Sequence, residues 1–193
     1  MSKSIDFYFD FISPYSYLAH KKIENIKEKK ISFNYKPVLV GGLHKLQNIT
    51  APAFIKPKLK HVISDCELIA KKNKFNFIWN SKFPINSLNI MRGYLFIGDE
   101  VKNLYLNKMF DANWRDNLDT SNEEILKSIL QKCKINLNDF FSGIKDPKIK
   151  NELKIITQIA HDKEIFGAPT FVVNNKIFWG QDRLEFALDE YNK

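Results

Sequence analysis

The chain has 193 residues, of which 30 are basic and 22 acidic, giving a formal net charge of +8. Hydrophobic residues make up 44% and aromatic residues 13%, which excludes a disordered or low-complexity chain because the sequence can build a core. Only three basic residues are arginine, the side chain that nucleic-acid-binding surfaces favour, so we expect no nucleic-acid partner.

Compartment and metal content are also constrained by the sequence. No apolar run approaches the roughly 18 residues of a membrane span, so we expect no membrane association. The first residues do not resemble a signal peptide, and a cytoplasmic location is the simplest expectation. Cys66 and Cys133 are too far apart for a disulfide framework or a Cys-rich zinc module. They are predicted to pack within helices, away from the start of the first helix. The four histidines lack metal-binding spacing and are expected to be surface or hydrogen-bonded residues, so no metal site is predicted.

The first third of the chain reads as strand, helix, strand. Residues 5–11 are short and rich in aromatic residues, which is typical of a buried strand. Ser13 and Pro14 are a common helix start, and apolar residues follow at helical spacing. Residues 31–40 are predicted to contain a second strand that ends before Gly41.

The middle of the chain is predicted to be helical and the end returns to strands. Helical spacing indicates helices over residues 58–73, 85–97, 100–114, 122–132 and 147–162. Residues 170–173 and 176–179 form a predicted hairpin around Asn174 and Asn175, followed by a short helix over residues 183–191.

This order of elements indicates an α/β protein with a thioredoxin-like fold and a large all-helical insertion. Residues 1–45 and 165–193 are predicted to form the discontinuous thioredoxin-like domain. Residues 46–164 are predicted to form the inserted helical domain. In such a fold, the start of the first helix, the loop before the third strand and the start of the last helix surround one groove.

Three short motifs fall at that groove. Ser13 and Ser16 occupy the frame in which thioredoxin-like enzymes carry Cys-x-x-Cys, and a serine there can donate a hydrogen bond to a bound thiolate. The alternative is that Ser13 is only a helix cap. Ala168–Pro169, just before a strand, is predicted to be a cis peptide, with an ordinary trans bond as the alternative. Asp182, at the start of the last helix, could cap that helix or bind an ammonium group.

Several segments resemble the 2-hydroxychromene-2-carboxylate isomerase family, which is grouped with kappa-class glutathione transferases in the DsbA-like thioredoxin superfamily. The resemblance runs from about residue 5 to about residue 188. It is carried by residues 10–19, 37–42, 83–88, 166–173 and 178–184.

The resemblance implies glutathione as a cofactor. Ser13 matches the serine that contacts the glutathione thiolate, which makes it the predicted catalytic residue. Ala168, beside Pro169, matches the residue whose backbone pairs with the cysteinyl unit. Gln181 and Asp182 match residues that hold the γ-glutamyl end of glutathione, and Lys58 matches a basic residue near its glycyl carboxylate. The family often has a glutathione-contacting Asn where this chain has Ile49, so we expect either that Asn48 substitutes or that the contact is absent.

The activity implied is a glutathione-dependent cis–trans isomerisation of an aromatic enone carboxylate. Lys36 and Tyr15 are the predicted substrate-binding residues, although Lys36 could equally be a solvated lysine. A homodimer is expected from the resemblance. Three alternatives remain: a kappa-like transferase that conjugates electrophiles, a thiol–disulfide oxidoreductase, and a non-catalytic binding module. Ser13 and Ser16 argue against the oxidoreductase because disulfide exchange requires a thiolate.

Overall fold

The computed structural model describes residues 3–26 and 31–193. A four-stranded sheet is built from β1 (Ile5–Phe9), β2 (Phe33–Pro37), β3 (Thr170–Val173) and β4 (Lys176–Trp179) in the order β2-β1-β3-β4. β1 and β2 are parallel, and β3 is antiparallel to both β1 and β4. The two ends of the chain therefore form one sheet, and the predicted thioredoxin-like fold with a helical insertion is confirmed.

Helices account for most of the remaining described residues. They are α1 (Pro14–Glu24), α2 (Val40–Leu46), α3 (Lys56–Asn73), α4 (Leu88–Phe96), α5 (Asp99–Trp114), α6 (Glu123–Lys132), α7 (Leu137–Gly143), α8 (Pro147–Asp162) and α9 (Leu184–Tyr191). Short 3-10 turns cover Pro52–Phe54 and Gln181–Arg183. None of the helices in the described part of the chain is long and apolar enough to cross a membrane.

Two helices were not expected from the sequence. α2 contains Gly41 and Gly42, which disfavour a helix by propensity. It is nevertheless fixed at its start by distant side chains, since the amide of Leu39 donates to Thr157 Oγ1 at 3.1 Å and that of Val40 to Asp10 Oδ2 at 2.9 Å. The second strand is correspondingly shorter than predicted, and the predicted domain boundary after residue 45 falls inside α2. The other unexpected helix is α7.

The sheet separates two apolar clusters. Successive side chains of a strand point to opposite faces, and Phe7 and Phe9 pack against the helical segments in the larger cluster, with α1 among them. Tyr8 points to the other face, where it joins Val38, Leu43 of α2 and Ala160 of α8. β1 therefore ends between two packed layers, and the residues that follow it are held from both sides.

Candidate functional site

A cavity of about 650 Å³ opens at the end of β1. Its walls come from the start of α1, from α2, from the chain leading into α3, from the segment before α4 and from the loop before β3. Aromatic side chains contribute much of the lining, and they are Tyr15, Phe54, Trp79, Phe83, Phe166 and Trp179. The volume lies within the range of about 300–1,000 Å³ that is usual for small-molecule sites.

Ser13 lies at the cavity wall and caps α1. Its side chain is 7% exposed, and its hydroxyl oxygen accepts a hydrogen bond from the Ser16 amide at 3.1 Å. The hydroxyl hydrogen is donated to the carbonyl oxygen of Ala168 at 2.9 Å. Ser13 is thus both a helix cap and a link between two cavity walls that are 155 residues apart in the chain.

Ala168 faces Ser13 from the loop before β3. The Ala168–Pro169 peptide bond is cis, as predicted, and a second cis bond at Phe83–Pro84 was not anticipated. Among the described residues, the Ala168 amide has no hydrogen-bond partner, so it is free to bind a ligand. The loop is also tied to the end of β4, because the Gly180 amide donates to the Pro169 carbonyl at 3.0 Å.

Asp10 lies behind Ser13 and was not identified from the sequence. Its side chain lines the cavity wall but is only 1% exposed. Its carboxylate accepts hydrogen bonds from the amides of Val40 at 2.9 Å and Ile12 at 3.2 Å, and from the Ser87 hydroxyl. Burial raises its pKa from 3.8 to about 6, although these three hydrogen bonds oppose the shift.

Tyr15 also lines the cavity and contacts α3. Its hydroxyl donates to Asp65 Oδ2 at 2.7 Å, and burial, followed by this hydrogen bond, raises the pKa of Tyr15 well above 10. Cys66 lies against the same hydroxyl, which corrects the expectation that both cysteines are remote from the start of α1. The Cys66 thiol is buried outside the cavity lining, and burial raises its pKa above the usual 9.0. It therefore remains a protonated packing residue.

Two basic side chains reach the cavity. Lys58 is exposed and lines it near the start of α3, as its predicted role requires. His44 lines it from α2 and is half-buried, and its imidazole ring has no hydrogen-bond partner among the described residues. Burial lowers the pKa of His44 below 6.5. His44 is thus neither a surface nor a hydrogen-bonded histidine, which corrects that expectation.

Asn48 and Lys36 lie outside the cavity lining. Asn48 is exposed in a left-handed turn with φ of 55° after α2, and its neighbour Ile49 lines the cavity instead. Lys36 lies within β2, paired with Tyr8 at the edge of the sheet. Neither placement supports a direct contact with a ligand bound beside Ser13.

Gln181 and Asp182 form the 3-10 turn before α9, next to the loop that carries Ala168. The Gln181 side chain is 8% exposed, and its amide oxygen accepts a hydrogen bond from Lys22. Lys22 also donates to the Gln181 main-chain carbonyl at 3.2 Å, so α1 holds this turn in place. Asp182 is exposed and pairs with Arg183 at 2.7 Å rather than capping the helix. Both residues lie beside the cavity rather than in its lining.

The comparisons with known proteins agree with this geometry. A family model for the DSBA-like thioredoxin domain matches residues 4–192. The chain belongs to this family. It is 27% identical over 194 residues to a 2-hydroxychromene-2-carboxylate isomerase of Sphingobium xenophagum, covering 99% of this chain and 98% of that protein. The resemblance found in the sequence is therefore confirmed.

The chain is also similar to a glutathione transferase and to a solved isomerase structure. It is 26% identical over 206 residues to glutathione S-transferase kappa 1 of Caenorhabditis elegans, covering 96% of this chain and 89% of the transferase. A solved structure of a 2-hydroxychromene-2-carboxylate isomerase superposes with a TM-score of 0.87 at 22% identity. That match covers 96% of this chain and 92% of the other, and it shows the shared fold.

Sequence reasoning missed Asp10, Ser87 and His44 as parts of the site. A signal for Asp10 was present, because an acidic residue between Phe9 and Phe11 in a buried strand end is rarely buried without a partner. Ser87 and His44 carry no such signal. Only the folded chain shows that the Ser87 hydroxyl reaches Asp10 and that α2 turns His44 into the cavity.

Proposed function

We propose that this protein binds glutathione in the cavity at Ser13 and is a glutathione-dependent cis–trans isomerase acting on an aromatic enone carboxylate. The observation that carries the proposal is the Ser13–Ala168 hydrogen bond at the wall of a cavity large enough for a small molecule. The relatives named as isomerases and as a glutathione transferase point to the same chemistry.

The residues around Ser13 fit a cysteinyl thiol. The free amide of Ala168 can donate to the carbonyl of the cysteinyl unit, and the Ala168 carbonyl can accept from the amide of the same unit. The Ala168 carbonyl has two lone pairs and can accept this bond beside that of Ser13, but the Ser13 hydroxyl has one hydrogen and must release the carbonyl to donate to the sulfur. The hydroxyl hydrogen then becomes available to the sulfur, while the Ser16 amide continues to donate to the Ser13 oxygen. Binding therefore exchanges one hydrogen bond of Ser13 for a stronger one to an anion.

The size of this effect follows from hydrogen-bond energetics. A hydrogen bond to a charged group contributes about 1.5–3 kcal/mol. At about 1.36 kcal/mol per pKa unit, Ser13 would lower the pKa of the bound thiol by about one to two units. A thiol with an ordinary pKa of about 8.5 would then have a pKa of about 6.5–7.5, so that about a quarter to three quarters of it is thiolate at pH 7.

The other cavity residues would hold the substrate beside the sulfur. When bound, glutathione supplies a thiolate that adds reversibly to the conjugated system, so that the former double bond can rotate before the sulfur leaves. Trp79, Phe83 and Trp179 offer flat apolar surfaces to an aromatic ring. Lys58 at the rim supplies a positive charge for the glycyl carboxylate of glutathione, and Tyr15 lies where the substrate would contact α1.

Product analysis tests the proposed activity. A cis enone carboxylate is incubated with the protein and a small amount of glutathione. The proposal predicts conversion to the trans isomer in amounts exceeding the glutathione present, with total free glutathione unchanged, and a large loss of rate in Ser13→Ala. No conversion above the rate with glutathione alone would contradict the proposal.

A kappa-like glutathione transferase is the second candidate, favoured by the similarity to glutathione S-transferase kappa 1. The same experiment separates the two activities, because a transferase consumes one glutathione for each product and a stable conjugate accumulates. The same glutathione site serves both reactions, so the distinction lies in whether the sulfur leaves again.

We further propose that the protein works as a homodimer in the cytoplasm. A reducing compartment supplies free glutathione and keeps the two free cysteines, Cys66 and Cys133, in the thiol form. Analytical ultracentrifugation at micromolar concentration tests the dimer, and a monomer there would remove that part of the proposal without affecting the glutathione site.

A further inference from the structure

Asp10 joins three parts of the cavity wall that are far apart in the chain. Its carboxylate accepts from the amide of Ile12 in the loop that leads to Ser13 and from the amide of Val40 at the start of α2. The Ser87 hydroxyl, just before α4, bonds to the same carboxylate and makes no capping bond to its own helix. The main-chain carbonyl of Asp10 also accepts from the Ser13 amide at 3.0 Å.

These contacts depend on the charge of the side chain. An ionised carboxylate accepts hydrogen bonds on both oxygens, whereas a protonated one carries a hydrogen on one oxygen. The Ser87 hydroxyl can turn to accept that hydrogen, but the amides of Ile12 and Val40 can only donate, and a neutral carboxyl is a weaker acceptor for them than a carboxylate. Protonation of Asp10 therefore weakens the two amide links that hold the Ser13 loop against the start of α2.

Building on the function proposed above, we propose that Asp10 is a positioning residue for glutathione. Its ionised side chain holds the Ser13 loop, the start of α2 and Ser87 in the arrangement that binds the tripeptide, so that protonation of Asp10 weakens binding. Asp10 acts through the backbone that it orders and does not itself touch the sulfur.

Other titratable groups near the site have to be separated from Asp10. Tyr15, His44 and Lys58 line the cavity, Lys36 lies on β2, Arg92 on α4 and His161 on α8. Burial, opposed by the three hydrogen bonds, accounts for the pKa of Asp10 near 6, with no charged side chain contributing among the described residues. His44 is the histidine of the cavity wall, and burial lowers its pKa below 6.5, so a variant has to separate it from Asp10.

The first test uses the protein without any ligand. Amide chemical shifts of Ile12 and Val40 are followed by NMR from about pH 5 to about pH 7.5. Both should change with one shared midpoint near the pKa of about 6 given by the structure. His44→Gln should keep this midpoint, and Asp10→Asn should abolish it. Ser87→Ala should move it to higher pH, because it removes a bond that favours the ionised form.

The second test measures binding of S-methylglutathione by calorimetry over the same pH range. This ligand has no thiol, and its carboxylates stay ionised there, so the pH dependence reports the protein. The affinity should fall up to about tenfold per pH unit below the Asp10 midpoint. Asp10→Asn should bind weakly at every pH, with no midpoint. Asp111→Asn, which alters a buried acid outside the cavity lining, should retain the wild-type profile.

The outcomes of the two tests are distinguishable. Unshifted amides of Ile12 and Val40, or a midpoint that moves in His44→Gln but not in Ser87→Ala, would overturn the role of Asp10. A pH-independent affinity for S-methylglutathione would also overturn it. If the amides titrate as expected but no glutathione compound binds at any pH, the proposed function fails and the structural link through Asp10 stands. Should Asp10→Asn fail to fold, the wild-type and Ser87→Ala profiles still decide.

Discussion

His20 and His44 occupy two regions of the molecule that treat the same side chain in opposite ways. His20, on α1, is 1% exposed, and its two ring nitrogens lie 2.8 Å from the Tyr35 hydroxyl and 2.6 Å from Asn107 Oδ1. His44, on α2, lies in the cavity wall, and its ring nitrogens have no hydrogen-bond partner among the described residues.

Comparing the two histidines shows what distinguishes a polar residue with a structural role from one that is available to a ligand. Burial lowers the pKa of both histidines, so the direction of the shift does not separate them. What separates them is whether the protein satisfies the polar atoms. His20 is also stacked on Phe110, with ring centroids 5.2 Å apart, and has nothing left to offer a ligand. In the cavity wall, in contrast, the Ala168 amide has no partner in the part of the chain that the structure describes.

The largest expected effect is the difference in stability between the His20→Ala and His44→Ala variants. His20→Ala removes the stacked ring and leaves the half-buried partners Tyr35 and Asn107 without their bonds to it, so the free energy of unfolding should fall by about 3 kcal/mol. His44→Ala should change it by about 0.5 kcal/mol or less, because no bond is lost. Urea denaturation measures the free energy of unfolding of both variants, and equal decreases would contradict the distinction between the two histidines.

Ionisation of buried Asp10 should lower the free energy of unfolding as the pH rises. Its folded-state pKa is raised from 3.8 to about 6 by burial, so its stabilising contribution is present below 3.8 and is lost as pH rises through about 6. We expect the wild-type free energy of unfolding, relative to that of Asp10→Asn, to fall by up to about 3 kcal/mol between about pH 4 and about pH 7.

Glu190 provides a control of opposite sign. Hydrogen bonds from Lys176, Lys193 and Asn174 lower its pKa to about 2. Its stabilising contribution is therefore lost as pH falls rather than as it rises. The wild-type free energy of unfolding, relative to that of Glu190→Gln, should therefore rise with pH. A fall with rising pH, as expected for Asp10, would contradict the assignment of Glu190.

A smaller effect should distinguish the two lysines predicted from the sequence. Lys58 lines the cavity and Lys36 does not. Because an exposed ion pair contributes about 0.2–1 kcal/mol, Lys58→Ala should weaken glutathione binding a few-fold, and less at high salt. Lys36→Ala should leave the affinity unchanged in the same calorimetric titration. A weaker affinity in Lys36→Ala alone would restore Lys36 as a ligand contact.

Local signals in the sequence predicted much of the fold. Asp146 and Pro147 mark the start of α8, and the helix covers the predicted residues 147–162. Asn174 and Asn175 form the hairpin turn, with φ of 50° and 59°. The position of Ser13 as the cap of α1 was also readable, because a cap and its helix are neighbours in the chain.

The remaining features depend on contacts between distant segments. α2 forms despite two glycines because Asp10 and Thr157 bind its first amides. The link between Asp10 and Ser87 spans 77 positions of the sequence, and no local pattern encodes it. The sequence suggested Lys36 as a substrate contact, and the resemblance left open whether Asn48 contacts glutathione. The register of β2 and the turn after α2 direct both away from the cavity lining.

The central claim, that Ser13 stabilises the thiolate of bound glutathione, is tested most directly by the ultraviolet absorbance of that thiolate. Glutathione is titrated with base alone, with the protein and with Ser13→Ala at saturating protein. We expect a thiol pKa about one to two units lower with the wild-type protein than in free solution, and at least about one unit of that shift lost in Ser13→Ala. Bound glutathione that titrates at the same pH as free glutathione, or a shift that survives in Ser13→Ala, would contradict it.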